Sequence, residues 1–364
     1  MARRSHRSSR YAPGSEAARL RKAASAFFPG KRTVAVLGGS PGYSGSAFAR
    51  VEASGRVWCL REWPFESEGE RLTFIHGALL EVRASGFRGM PDLASTTAGE
   101  TVAEVSGRLY DAQEWMAGRP LSAASGWTGE PIPNLVVRPS PRRLHALTQA
   151  LARLHHAGAR VAGRPKREPD HLSRRLDALA DEIEQRVGPL VRAVRDGDAN
   201  ADSEVASRWL DLLPSALAAV REASEELPED DRGAEAVCHG DLWPAHVRFD
   251  GEAFVGFTDF ESLVFASPAL DLAQLVTHFA DWEGREAILR SYESIAPLKE
   301  RDLAVLPIEA VADLAGEGLW SLSSLYGESL LQESPAQEAA HRRNLRTLLV
   351  SLVQATEEAK RDQM

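Results

Sequence analysis

The chain has 364 residues, 43% hydrophobic and 26% charged, with a formal net charge of −9, which is enough ordinary globular sequence for two packed units or one bilobed domain and excludes wholesale disorder. No apolar run approaches the roughly 18 residues of a membrane span, the start lacks the apolar core of a secretory signal, and the acidic balance argues against a nucleic-acid partner. Two cysteines, Cys59 and Cys238, cannot build a disulfide framework, so buried thiols in a reducing cytoplasm are expected.

Residues 1–32 carry nine Arg or Lys against one acid, Glu16. This Ser-rich stretch predicts a mobile basic tail, with a short helix as an option over Glu16–Phe28; the same composition describes an organellar transit peptide, and both readings stay open. From Thr33 the apolar period is two, giving strands TVAVL, AFARVEA and RVWCLRE, the last two joined by Ser54-Gly55. The first two are linked by a glycine-rich run from Gly38 to Ser46. Glu68–Phe87 carries apolar residues at 72, 75, 79 and 82, a helical stripe, and TVAEV with RLYDAQEW forms a hairpin over Ser106-Gly107. Residues 33–117 thus read as a small antiparallel sheet with one helix.

Residues 118–364 read as mainly helical, with helices over Pro141–Ala157, His171–Val194, Ser203–Glu226, Leu270–Phe279, Trp282–Ser294, Ile308–Tyr326 and Ala336–Glu358. A β segment at 236–261 interrupts them. The fold class is α+β with two lobes. His155 and His156 end an amphipathic helix and are expected as capping or surface residues. The acid run Glu225–Asp231 is expected as solvated linker, with the gathering of a cationic acceptor as the sharper alternative.

The segment CHGDLWPAHVRFDGEAFVGFTDFE, Cys238–Glu261, holds the chemistry. A His-Gly-Asp turn precedes two short strands around Asp250-Gly251, and the second strand ends at Asp259. Two carboxylates so placed can divide labour, one orienting a hydroxyl and taking its proton, the other holding a divalent metal.

HGDLWPAHV, TDFE and SPALDLAQL, in this order behind a glycine-looped sheet, resemble the aminoglycoside phosphotransferase-like kinases, the small-molecule branch of the protein-kinase fold that includes choline and homoserine kinases. The resemblance covers Thr33 to about Phe279. It implies a protein-kinase-like two-lobe fold, ATP and magnesium as cofactors, and a small-molecule hydroxyl as acceptor. By position it implies that Asp241 is the catalytic carboxylate, that Asp259 binds the metal, and that His239 and Asp271 brace the catalytic loop. Gly38, Gly39, Ser40, Gly42, Ser44, Gly45 and Ser46 match the phosphate-covering loop, and Gln113 and Trp115 lie in the run that matches the adenine-pairing hinge.

Three positions depart from the family pattern. His246 stands where an asparagine metal ligand is usual, and imidazole suits manganese better than magnesium. Its alternative is a packed, hydrogen-bonded histidine. Arg61 replaces the phosphate-steadying lysine; no lysine lies between Arg32 and Pro165, so Arg61 is the expected catalytic cation, with a fork of different reach. Its helix partner falls at His76, Glu70 or Glu81. Trp243 reads as packing in preference to substrate stacking. Two other function classes stay in view: a kinase-fold protein that binds nucleotide without transferring phosphate, and a metal-dependent hydrolase using His239, Asp241 and His246 as an H-x-D-x4-H ligand set.

Overall fold

The computed structural model describes residues 13–39, 46–122, 136–161, 171–197, 201–227, 236–327 and 335–361. They divide into two compact units, one containing the described residues up to His76 and Pro91–Trp115, the other Gly77–Met90 and the described residues from Met116 onward.

The first unit contains helix α1 (Pro13–Phe27) and strands β1 (Arg32–Gly39), β2 (Ala47–Ala53), β3 (Arg56–Glu62), β4 (Val102–Val105) and β5 (Arg108–Glu114). These form one antiparallel sheet in the order β1-β2-β3-β5-β4. The two tight turns require positive φ at Ser54-Gly55 and Ser106-Gly107, where Gly adopts it without steric cost. Helix α2 (Gly69–Ala84) starts in this unit and continues into the second.

The alternation of β2 places Ala47, Ala49, Val51 and Ala53 on one buried face, joined by Trp58, Leu60, Tyr110 and Ala112 of the neighbouring strands. Helix α1 covers this face with Leu20, Ala23, Ala24 and Phe27, all buried. A mobile tail was therefore the wrong expectation for Pro13–Phe27, because Leu20, Ala23, Ala24 and Phe27 repeat at helical spacing and supply one side of the core. The arginines make the seam: Arg19 donates from Nε and Nη2 to the two oxygens of Glu62, 3.0 and 2.8 Å away, and the Tyr110 hydroxyl donates to Oε2 at 2.6 Å. Arg108 Nη1 lies 3.3 Å from Oε1, and because Glu62 is buried all three partners serve to keep its charge satisfied.

The second unit contains β6 (Arg119–Pro120), α3 (Pro141–Gly158), α4 (His171–Asp196), α5 (Ala201–Glu225), β7 (Ala236–Cys238), β8 (Val247–Asp250), β9 (Ala253–Phe257), β10 (Val264–Ala266), α6 (Ala269–Phe279), α7 (Arg285–Glu293), α8 (Glu300–Tyr326) and α9 (Pro335–Arg361). Two small antiparallel sheets, β10-β7 and β6-β8-β9, sit among the helices. Helix α6 is buried over its whole length, and α8 over most of it. Helix α8 begins eight residues before the expected Ile308, because Pro307 lies inside it. The proline gives up one helical hydrogen bond, and buried Val305, Leu306 and Ile308 on either side of it hold the helix together. Among the described residues, no helix is long and apolar enough to cross a membrane.

Leu20→Ala should lower stability by about 2–5 kcal/mol through the cavity it leaves under α1. A urea midpoint equal to that of the unsubstituted chain would return α1 to the status of a tail.

Candidate active site

Strand β7 ends at Cys238, and the chain turns through His239-Gly240-Asp241 before a single 3-10 turn at Pro244–His246 leads into β8. Gly240 adopts φ +80°, and a Cβ there would lie 2.3 Å from the carbonyl oxygen of Ser262. Only glycine fits this close approach.

The turn is held from α6. Asp271, fully buried, accepts the His239 N–H at 2.6 Å on Oδ2 and the Gly240 N–H at 2.9 Å on Oδ1. Its Oδ2 also receives Nε2 of His155 at 2.9 Å, and Nδ1 of that ring lies 2.9 Å from the Tyr292 hydroxyl. Burial alone would raise the Asp271 pKa, but hydrogen bonding and charge from His155, with help from His239 and Gly240, bring it below the ordinary aspartate value. His155 is therefore a buried support of the catalytic turn, correcting its expected place at the surface; His156 is exposed. Leu154 and His155 both face inward because the apolar stripe of α3 is wide enough to take two adjacent positions.

His239 uses both ring nitrogens within the loop. Nε2 donates to the Thr258 carbonyl at 2.9 Å, and Nδ1 accepts the Asp241 N–H at 3.3 Å. Burial, and then the neighbouring His246, lower its pKa, so the ring stays neutral. With both ring nitrogens hydrogen-bonded inside the loop, His239 does not present a ligand nitrogen to Asp241 and His246. His155, Cys238 and Asp271 do place ligand-type atoms within 4.8 Å of one another. There both nitrogens of His155 and both oxygens of Asp271 are engaged, and burial raises the Cys238 thiol pKa well above its ordinary value, so this is a structural cluster.

His246 lies at the mouth of the turn. Its Nδ1 donates to the Asp241 backbone oxygen at 2.8 Å and lies 3.4 Å from the carboxylate Oδ2 of Asp241. The other nitrogen, Nε2, lies 3.6 Å from Oδ2 of Asp259, so an imidazole nitrogen and a carboxylate oxygen, both metal-ligand types, face one another there. Asp259 itself sits in the left-handed region, φ 62°, ψ 67°, a conformation rare for a non-glycine residue and typical of functional turns. Trp243 packs edge-on against His246 with ring centres 4.8 Å apart.

In the first unit, Arg61 is buried at 6% exposure. Its Nε donates to Ser46 Oγ at 3.0 Å, and its guanidinium lies 3.9 Å from the Trp63 ring centre and 5.5 Å from that of Phe48. A delocalised guanidinium can stack on rings in this way while keeping its charge buried. His76 does not serve as its partner: Nδ1 meets Thr101 Oγ1 at 2.9 Å and Nε2 meets buried Asp111 at 3.1 Å. Glu70 is exposed in the first turn of α2. Gly38 and Gly39 end β1, paired with Phe48 and Ala47. Ser40, Gly42, Ser44 and Gly45 lie outside the described residues. In the run expected to pair with adenine, the Trp115 N–H is donated to Val57 O at 3.0 Å because the β3-β5 ladder extends past Glu114. Gln113 pairs with Cys59 in the same ladder, and its side chain donates to Asp111 at 2.8 Å.

The sequence reading missed Gln274, Asp313 and Arg19. Gln274 lay inside the string SPALDLAQL without being singled out there, Asp313 in a plain helical stretch and Arg19 in an expected tail.

Asp271→Asn should cost about 1.5–3 kcal/mol at pH 7, since it replaces a charged acceptor. The lowered pKa means this stability is present above the ordinary aspartate range and is lost as pH falls through the folded value. Urea unfolding of both proteins at pH 7 and in acid should show the gap narrowing in acid; a gap independent of pH would contradict an ionised Asp271.

A family model described as the phosphotransferase enzyme family matches residues 36–306. A homoserine kinase of Methylobacterium nodulans is 29% identical over 249 residues, covering 65% of this chain and 64% of its own length, so the chain spans just under two thirds of that relative. The solved structure of a microcompartment-associated aminopropanol kinase superposes with a TM-score of 0.61 at 15% identity, covering 94% of this chain and 98% of the other. An amicoumacin kinase in complex with AMP-PNP, Ca2+ and its ligand gives a TM-score of 0.60 at 14% identity, covering 91% and 92%. At these identities the structural likeness is one of fold.

Proposed function

The chain belongs to the phosphotransferase enzyme family, and on that premise we propose that it transfers the γ-phosphate of ATP to a hydroxyl group of a small molecule. The observation that carries this is the convergence of Asp241, His246 and Asp259: one half-exposed carboxylate at the turn, and an imidazole nitrogen 3.6 Å from a second carboxylate oxygen.

In this reading, Asp241 accepts the proton of the acceptor hydroxyl as its oxygen bonds to the γ-phosphorus and the bond to the β,γ-bridging oxygen breaks, leaving ADP. Asp259 and His246 would hold a divalent cation, which offsets negative charge on the phosphate oxygens. Magnesium is the default ion, and the imidazole ligand favours manganese more than an amide would. His246 also braces Asp241 through its backbone oxygen, so one ring serves both carboxylates. Arg61 and the glycine-rich run are proposed to steady the phosphates, with Ser46 tying the end of that run to Arg61.

The homoserine kinase relatives and the fold shared with an aminopropanol kinase support an amino alcohol or hydroxyamino acid as the first acceptors to screen, with amino sugars next.

Asp241→Asn should reduce turnover by about 10² to 10⁴ while ATP affinity stays unchanged; full turnover by that variant would end the assignment. Calorimetric titration of Asp259→Ala should show ATP binding that no longer responds to magnesium or manganese. If metal dependence survives in that variant, Asp259 is not the ligand. Metal-dependent nucleotide binding with no turnover on any screened acceptor would instead identify a binding-only kinase fold.

A further inference from the structure

Gln274 lies on α6, one turn beyond Asp271, and is buried. Its Oε1 accepts the Leu242 N–H at 2.8 Å, while its Nε2 donates to the Gly240 carbonyl at 3.3 Å and to Asp313 Oδ1 at 3.2 Å. A single side-chain amide thus grips the peptide before Asp241 and the peptide after it. Asp271 holds the two N–H groups upstream, so His239, Gly240 and Leu242 each have a backbone group bonded from α6, while the N–H and carbonyl of Asp241 meet the rings of His239 and His246.

The amide can be built either way round, and Asp313 decides which. A carboxylate only accepts hydrogen bonds. Were the amide reversed, Oε1 would confront Asp313 and the Gly240 carbonyl, and the NH2 group would confront the Leu242 N–H. Asp313 is itself fixed on α8 by Thr277 Oγ1 at 3.1 Å, His278 Nε2 at 3.1 Å and Arg175 Nη2 at 3.2 Å. Burial would raise its pKa, but the charge and hydrogen bond of His278, then Arg175 and Gln274, hold it well below the ordinary range, so it remains an acceptor.

We infer that Gln274, oriented by Asp313, is a positioning residue that fixes the backbone on both sides of Asp241 and thereby the aim of its carboxylate at the acceptor hydroxyl. The inference rests on the reading of Asp241 as the catalytic carboxylate. Gln274 touches no substrate atom in this scheme and acts through Asp241 alone.

The test uses the full chain with Gln274→Met, which keeps the volume and removes every hydrogen bond, alongside Gln274→Glu, Asp241→Asn and the Gln274→Met/Asp241→Asn double variant. ADP formation is followed with L-homoserine and, without acceptor, with water as the phosphoryl acceptor; ATP binding is measured by calorimetry and Leu242 amide exchange by NMR. Gln274→Met should lower kcat by roughly 10- to 100-fold with the KM for ATP within about twofold, and should speed exchange of the Leu242 amide. Gln274→Glu, a like charge beside Asp313, should fall at least as far. In the Asp241→Asn background the Gln274→Met change should alter turnover by less than about twofold, because it has nothing left to position.

Turnover within about twofold in Gln274→Met, an equal fall in both backgrounds, or ATP affinity lost in step with turnover would each overturn the inference. Wild-type turnover by Asp241→Asn would overturn the catalytic reading beneath it and the inference with it. Leu242 exchange separates the two failures, since it reports the bracket without any turnover.

Discussion

A buried carboxylate accepting two consecutive backbone N–H groups organises the second unit. Asp271 can remain charged in the interior only because donors surround it, and those donors are the His239 and Gly240 amides and the His155 ring. The exchange is reciprocal: the ion needs the turn in one conformation, and the turn needs the ion to satisfy amides that no strand or helix can reach. The positive φ of Gly240 follows from that demand, as does the closeness of Ser262 behind it. Asp241 is carried outward on this support, which leaves its carboxylate half-exposed while the peptides around it are fixed.

The first unit solves a different problem with the same means. Arg61 and Glu62 are adjacent in β3 and point to opposite faces of the sheet, and both are buried. Glu62 is neutralised from α1 by Arg19 and from β5 by Arg108 and the Tyr110 hydroxyl, while Arg61 is stacked on Trp63 and bonded to Ser46. A strand that carries two buried charges of opposite sign on opposite faces can slip by no residue without stranding both. The register of β3 is therefore fixed electrostatically as well as by its apolar residues.

Much of this was legible in the sequence where the signal is local. The strands of the first unit, the helical character of the second and the two carboxylates Asp241 and Asp259 follow from period, turn residues and a contiguous string. What escaped was set by contacts across long separations. His155 looked like a helix end because its partner Asp271 lies 116 residues away, and α1 looked like a tail because its charge hid an apolar stripe of four residues. Gln274 and Asp313 resemble any polar residues of a helix; only the fold brings them to the catalytic turn. The Trp115 N–H is spent within the sheet for a smaller reason, the ladder running one residue further than the strand's own pattern indicates.

The replacement of lysine by Arg61 has a consequence for chemical biology. Nucleotide-derived acyl phosphates report kinases by transferring an acyl group to the amine of a phosphate-binding lysine. A guanidinium, protonated at every accessible pH and here buried against Trp63 and Phe48, offers no such nucleophile, and the sequence from Arg32 to Pro165 holds no amine side chain to substitute for it. If Arg61 meets the phosphates as proposed, a probe of that kind would find no amine side chain between Arg32 and Pro165 to acylate.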